Sequence, residues 1–227
     1  MLGPYTNNTE NKALYASFLP KVEAYREKLK ARLVVKIASG ELTSVQVFKA
    51  FAKTSTAAHQ LTNCAIYLFS DEDLKRAEEL DEYFKRTGKT VGPLHGLPFL
   101  LKEHDNHKGR VTYGACVSKI DNITDNWYLA VQVLIDAGVV FYVRTRELQA
   151  IMHLYSNNNI TGLCRNPSNT ELTTGISSPG ERTLVAMTSP VLGSAPILVV
   201  PSGAQHKLVT YFELSQCCFS FRSAVRP

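Results

Sequence analysis

Apolar residues recur at helical spacing over residues 13–36, where Tyr15, Leu19, Val22 and Tyr25 fall on one side, and that period predicts an amphipathic helix. A second helix is predicted to start after Thr43, because Gln46 stands three residues further on and can close a capping box with it. Over residues 71–86, Leu74, Ala77, Leu80 and Phe84 mark one face, Asp71 and Glu72 sit at the positive end, and Gly88 suits the C-terminal cap. Residues 127–137 read as a helix stopped by Gly138, and the β-branched and aromatic run of residues 139–143 has the length of a strand. A further apolar run, residues 97–101, carries Lys102 at its end. Residues 156–181 are rich in Asn, Ser, Thr, Gly and Pro and predict one long irregular loop. Long ordered loops in compact domains are often functional. Helix followed by buried strand predicts a layered α/β sheet.

Composition narrows this picture only modestly. The chain has 227 residues, 44% of them hydrophobic and 20% charged, which are the proportions of a globular domain able to bury a sizeable core. Its 25 basic residues exceed its 20 acidic ones, but they are scattered through helical stretches and are not gathered with aromatics. That is a solvated surface, and no nucleic-acid partner is expected. The five cysteines, Cys64, Cys116, Cys164, Cys217 and Cys218, are odd in number and lack CxxC spacing, so neither a disulfide framework nor a zinc site is indicated. No apolar run is long enough to span a bilayer, and the N-terminal residues have no apolar core. A cytoplasmic protein with no membrane partner is expected, and the Asn-x-Thr sequons at Asn7, Asn122 and Asn159 read as chance matches. His104 and His107 lie three apart in a predicted loop without a third ligand motif, so no metal is assigned to them. Cys64 and Cys164 sit in no cysteine-hydrolase motif and read as packing residues.

A more specific reading comes from an ordered series of segments. GELTSVQVFKAF, AHQLTNC, LDEYFKRTGKTVGPLHGLPFLLK, DAGVVFYVRT, NPSNTELTTGISSPGE and LVAMTSP follow one another over residues 35–190. In this order they resemble the amidase signature family, and within it the fungal acetamidase type. The resemblance implies a mixed β-sheet core sandwiched by helices, here incomplete. It implies hydrolysis of a carboxylic amide by a Ser-Ser-Lys triad through an acyl-enzyme, with a small-molecule amide as substrate and no cofactor. Carried over by motif, the lysine is Lys102 and the bridging serine is Ser177, the first of the serine pair. Lysine acts as a base only when neutral, which calls for burial and the lack of a carboxylate partner. Lys102 would take a proton from Ser177 while Ser177 takes one from the nucleophilic serine. Ile176 and Pro179 stand where the family has glycines.

The nucleophile itself is missing from this frame. The family carries it in a segment resembling LGVGTDIGGSIR, whose backbone N–H groups also form the oxyanion hole, whereas this chain has LGSAPILVVPSG. Ser202 lies close by but lacks the Asp-Ile-Gly-Gly around it. If Ala195 to Ser202 are encoded by GCA CCG ATA TTG GTG GTT CCA TCC and Gly203 begins with GG, reading from the third base gives Thr-Asp-Ile-Gly-Gly-Ser-Ile-Arg. Permissible codons for Val191 to Ala195 yield Leu-Gly-Val-Gly just before it. A frameshift near codons 188–191 is therefore expected. The chain divides into an N-terminal helical region (residues 1–34), a partial amidase signature domain (35–190) and an aberrant out-of-frame tail (191–227), and the truncated form is expected to be inactive. Two other functions compete. One is a non-catalytic pseudoenzyme fragment with a binding or regulatory role. The other is a relative of the amidotransferases that feed ammonia to aminoacyl-tRNA, against which the acetamidase-like wording and the absence of a basic patch count. Oligomeric state and the identity of the amide stay open.

Overall fold

The computed structural model describes residues 32–68, 71–152, 155–174, 177–188 and 192–193. The N-terminal helix expected over residues 13–36 therefore lies outside the described residues up to 31, and residues 32–38 are helical, here α1. The out-of-frame tail likewise lies outside them apart from residues 192–193.

Helix α2 (Ser44–Thr62) starts where the sequence places it: the Thr43 hydroxyl accepts from the Gln46 N–H, and the Gln46 side chain accepts from the Thr43 N–H. Its first two amides, Ser44 and Val45, also donate to the carboxylate of Asp81 at 2.6 and 3.1 Å. Asp81 lies on α3 (Asp71–Thr87), so one carboxylate fixes α3 against the positive end of α2. Gly88 then turns with φ +65°, its N–H bonded to the Phe84 carbonyl at 2.8 Å, which is the left-handed cap that favours glycine.

Four strands form one mixed sheet in the order β1–β3–β2–β6, with β1 (Ala65–Leu68), β2 (Pro98–Lys102), β3 (Val140–Thr145) and β6 (Leu192–Gly193). Strand β1 runs antiparallel to β3, while β2 is parallel to both β3 and β6. Residues of β2 and β3 are buried throughout, as expected for strands covered on both faces. Leu100, Val140 and Tyr142 face a core shared with α2, α3 and Leu184, while Phe99, Leu101, Val139 and Phe141 face Val131 and Leu134 of α4 (Leu129–Asp136). The period-2 alternation thus divides two apolar strands between two cores.

Two departures from the sequence reading concern residues 156–181. They contain a short antiparallel hairpin, β4 (Asn157–Asn158) with β5 (Gly162–Leu163), and the last three residues belong to α5 (Pro179–Thr188). The hairpin is fastened from outside: Arg146 donates to the Asn63 carbonyl at 2.8 Å and to Thr161 and Gly162, and Asn158 Nδ2 donates to the Glu147 carbonyl at 2.7 Å. The Ser178–Pro179–Gly180–Glu181 sequence carried a helix signal, a capping residue followed by proline at the first helical position, inside a stretch whose composition reads as loop.

Helix α5 enters the core through Gly180. A Cβ there would stand 2.7 Å from the Arg146 amide nitrogen and 3.0 Å from its carbonyl oxygen, with the Cys64 carbonyl oxygen nearer still. Only a residue without a side chain lets the first turn of α5 lie against the backbone that leaves β3. Gly180→Ala is expected to destabilise the chain by about 1–3 kcal/mol or more through this overlap; chemical denaturation with an unchanged m-value checks it, and a loss below about 0.5 kcal/mol would contradict the close approach.

Candidate active site

Lys102 is the last residue of β2 and continues the alternation of that strand, so its side chain follows Leu100 toward α5 rather than α4. It is fully buried, and its Nζ donates to Ser178 Oγ at 2.9 Å. Ser178 is the residue just before α5, and its carbonyl accepts the Arg182 amide at 3.1 Å. The serine hydroxyl at the start of the helix thus meets the lysine amine. The partner in this bond is the second residue of the serine pair. Ser177, the residue expected from the motif order, lies beside it, 5% exposed and with φ +59°. A serine in the left-handed region is strained by roughly 1–2 kcal/mol, and such strain clusters at functional positions.

Burial is the main reason that the Lys102 amine is held below its ordinary range; Glu181, Glu147 and Asp105 pull it back up and Arg182 pushes it further down. The positive end of α5 also disfavours an ammonium at this place. The expectation that the base lacks a carboxylate partner is corrected: Glu147 Oε2 stands 3.9 Å from Lys102 Nζ, both side chains being almost wholly inaccessible. Desolvation outweighs the attraction, so the net shift is downward despite the carboxylates.

These carboxylates are the part of the site that the sequence did not announce. Glu103 follows Lys102 directly and accepts from the Tyr113 and Gly114 amides at 2.7 and 2.8 Å. Burial raises its carboxyl to about 7, against those amide bonds and with the neighbouring Glu147 adding to the rise. Glu147 leaves β3 two residues after its end and bonds His104 Nδ1. Glu181 lies in the first turn of α5, and neither of its oxygens has a hydrogen-bond partner among the described residues. Burial pushes it well above the carboxylate range, with Lys102 opposing. The three are 103, 147 and 181 in the chain, a spacing without any local period; only Glu103, adjacent to Lys102, gave a signal that could have been read. All gather at the carboxyl ends of parallel β2 and β3, where open α/β sheets place their sites.

The two histidines part company. His104 joins Glu147, whereas the His107 ring sits 4.3 Å from that of Trp127 and is lowered to about 4, chiefly by burial. No group of three or more metal-ligating side chains exists among the described residues. Cys64 and Cys164 are buried in the core, and burial raises the Cys64 thiol to about 12, so neither is an activated nucleophile. No helix among the described residues is long and apolar enough to cross a membrane.

Comparison with known proteins shows what the chain is similar to as a whole. Residues 46–195 match the family model described as Amidase. The chain is similar to an acetamidase of Emericella nidulans, 43% identical over 163 residues that make up 72% of this chain and 30% of the relative. It is also similar to an acetamidase of Aspergillus oryzae, 42% identical over 161 residues, 71% of this chain and 30% of the relative. Among solved structures, a fatty acid amide hydrolase superposes with a TM-score of 0.70 at 54% identity, covering 72% of this chain and 29% of that one. The chain thus spans about three tenths of the length of the relatives it matches.

Because burial raises the Glu181 carboxyl well above its ordinary value of 4.5, folding at a pH between that value and the folded one requires proton uptake, a cost that is absent below the ordinary value and grows as pH rises toward the folded one. Glu181→Gln removes the requirement. Its melting temperature is expected to exceed that of the parent chain by at least about 2–4 °C near pH 8 and to differ little near pH 5; scanning calorimetry at the two pH values checks this, and an equal shift at both would refute it.

Proposed function

The chain belongs to the amidase signature family, and from that membership we propose that Lys102 and Ser177 are the base and the proton bridge of an amide hydrolase. The reaction converts a linear carboxylic amide and water into a carboxylic acid and ammonia or an amine. Neutral Lys102 takes the proton of Ser177 Oγ as Ser177 takes that of the nucleophilic serine, whose oxygen attacks the carbonyl carbon. The proton returns along the same path to the departing nitrogen, leaving an ester that water hydrolyses. The observation that carries the reading is the buried Lys102 amine, 2.9 Å from the hydroxyl of Ser178 in the serine pair, at the sheet's carboxyl end. A lysine removed from water and set against a hydroxyl is equipped to accept a proton, which a solvated surface lysine is not.

The nucleophile of this proposal is the serine of Thr-Asp-Ile-Gly-Gly-Ser-Ile-Arg in the frame offset from Ala195 to Gly203. The 227-residue polypeptide lacks it and is inactive by this account. The names of the similar proteins point to amides as different as acetamide and fatty acid amides. The class held in common, a linear carboxylic amide, is the substrate proposed here.

Sequencing the transcript across the codons for Met187 to His206 is expected to yield LGVGTDIGGSIR when the frame is restored. The restored enzyme is expected to release ammonia from a short aliphatic amide, and Lys102→Met and Ser177→Ala each to lower kcat by about a thousandfold or more. Ser178→Ala is expected to cost far less; the opposite ranking of the two serines would move the bridge to Ser178. Robust serine-directed turnover by the 227-residue chain would defeat the frame argument, and a restored but amide-inert protein would favour a pseudoenzyme.

A further inference from the structure

His104 has no part in the hydrolytic steps, yet it is tied to the base by a single atom. Its Nδ1 hydrogen-bonds Glu147 Oε2, and the same oxygen lies 3.9 Å from Lys102 Nζ. Side-chain accessibility falls along this line from 24% at His104 to 1% at Glu147 and 0% at Lys102. One buried oxygen therefore stands between an imidazole that reaches solvent and an amine that does not. Glu147 is held for this position by its neighbours: Asn158 bonds its carbonyl at 2.7 Å, and Arg146 anchors the preceding residue to the Asn63 carbonyl at 2.8 Å.

The other charged groups around the amine offer no comparable way out. Glu181 of α5 is fully buried, and neither of its oxygens has a hydrogen-bond partner among the described residues. The Glu103 carboxylate is occupied by the Tyr113 and Gly114 amides. Arg182 of α5 is a cation and accepts no proton. Arg144 of β3 spends its guanidinium on the Val111, Glu103 and Asp105 carbonyls. Asp105 is buried and faces the other ring nitrogen, its Oδ1 3.8 Å from His104 Nε2.

We propose that His104 and Glu147 form a proton relay that joins Lys102 to solvent, with Glu147 positioning the lysine and His104 serving as the outlet. The proposal rests on the assignment of Lys102 as the base, since a buried ammonium must lose its proton before it can act. An N–H bond of the ammonium breaks as an O–H bond forms on Glu147 Oε2. That O–H bond breaks as an N–H bond forms on His104 Nδ1, and the imidazolium gives its Nε2 proton to water. His104 starts as the Nε2–H tautomer; one proton leaves and no electron moves, and Lys102 ends as the neutral amine, Glu147 as the carboxylate and His104 as its Nδ1–H tautomer, which exchange with water and a turn of the ring return to the starting form. The first transfer needs the flexible lysine to approach by about 1 Å to reach hydrogen-bond distance.

The test follows the proton on Lys102 by nuclear magnetic resonance of the full chain labelled with 15N-lysine, the Nζ signal being identified by its loss in Lys102→Met. His104→Asn is expected to slow exchange of the Nζ protons with water by at least about tenfold. Glu147→Gln should slow it similarly and lower the titration midpoint, because a carboxylate that favours the ammonium is gone. Should Glu147→Gln fail to fold, His104→Asn, which alters only a partly exposed ring, decides the matter. Unchanged Nζ exchange in His104→Asn overturns the relay, even if that variant melts earlier, for a purely structural histidine would affect melting alone. The readout is independent of turnover: an amide-inert restored enzyme whose Nζ exchange slows in His104→Asn would sink the hydrolytic reading and leave the relay standing.

Discussion

Removing the Lys102 amine from water is the constraint around which the described residues are arranged. A fully ionised ammonium in such surroundings costs several kcal/mol even after relaxation, and burial holds the group below its usual range. The alternation along β2 sends the side chain to the α5 side of the sheet, where the Ser178 hydroxyl receives the amine. The approach of α5 depends in turn on Gly180, which allows the helix to start against the Cys64 and Arg146 backbone. A small residue, a strand end and a helix start thus act together to bury an amine against a hydroxyl.

The acidic groups nearby follow from the same burial. Glu103, Glu147 and Glu181 are each almost inaccessible, and of the two buried arginines nearby Arg144 draws Glu103 down by charge alone, against the larger effect of burial. Arg144 and Arg146 are spent on backbone carbonyls and fasten loops and the β4–β5 hairpin. The glutamates differ in how they are met: Glu103 accepts from two amides and Glu147 bonds His104, while Glu181 has no hydrogen-bond partner among the described residues and burial raises it well above the carboxylate range. The result is a centre in which protonation states are coupled through charge, with low dielectric magnifying each interaction.

The local signals were legible wherever the chain makes its structure from neighbouring residues. The capping box of Thr43 and Gln46, the Gly88 stop and the apolar strand beginning near Val139 all appear within a residue or two of where the sequence places them. Strand β3 runs on to Arg144 and Thr145, polar residues that tertiary burial keeps in the sheet. Residues 156–181 were harder. Strands β4 and β5 are two residues each, shorter than any periodicity can register, and α5 begins inside a stretch whose Ser, Gly and Pro content points to turns.

For the site, the sequence alone determined the ordered motifs, and with them the amidase signature family, the lysine at the end of an apolar strand and the serine pair. These are properties of contiguous segments, in which residue type and short spacing carry the chemistry. Tertiary structure alone decided that Ser178 meets the Lys102 amine, that Glu147 stands beside that amine, and that His104 connects it toward solvent while His107 packs against Trp127. Those contacts join residues 102, 147 and 178 from separate elements. No local period relates them, because the parallel pairing of β2 with β3 and the close approach of α5 set their distances.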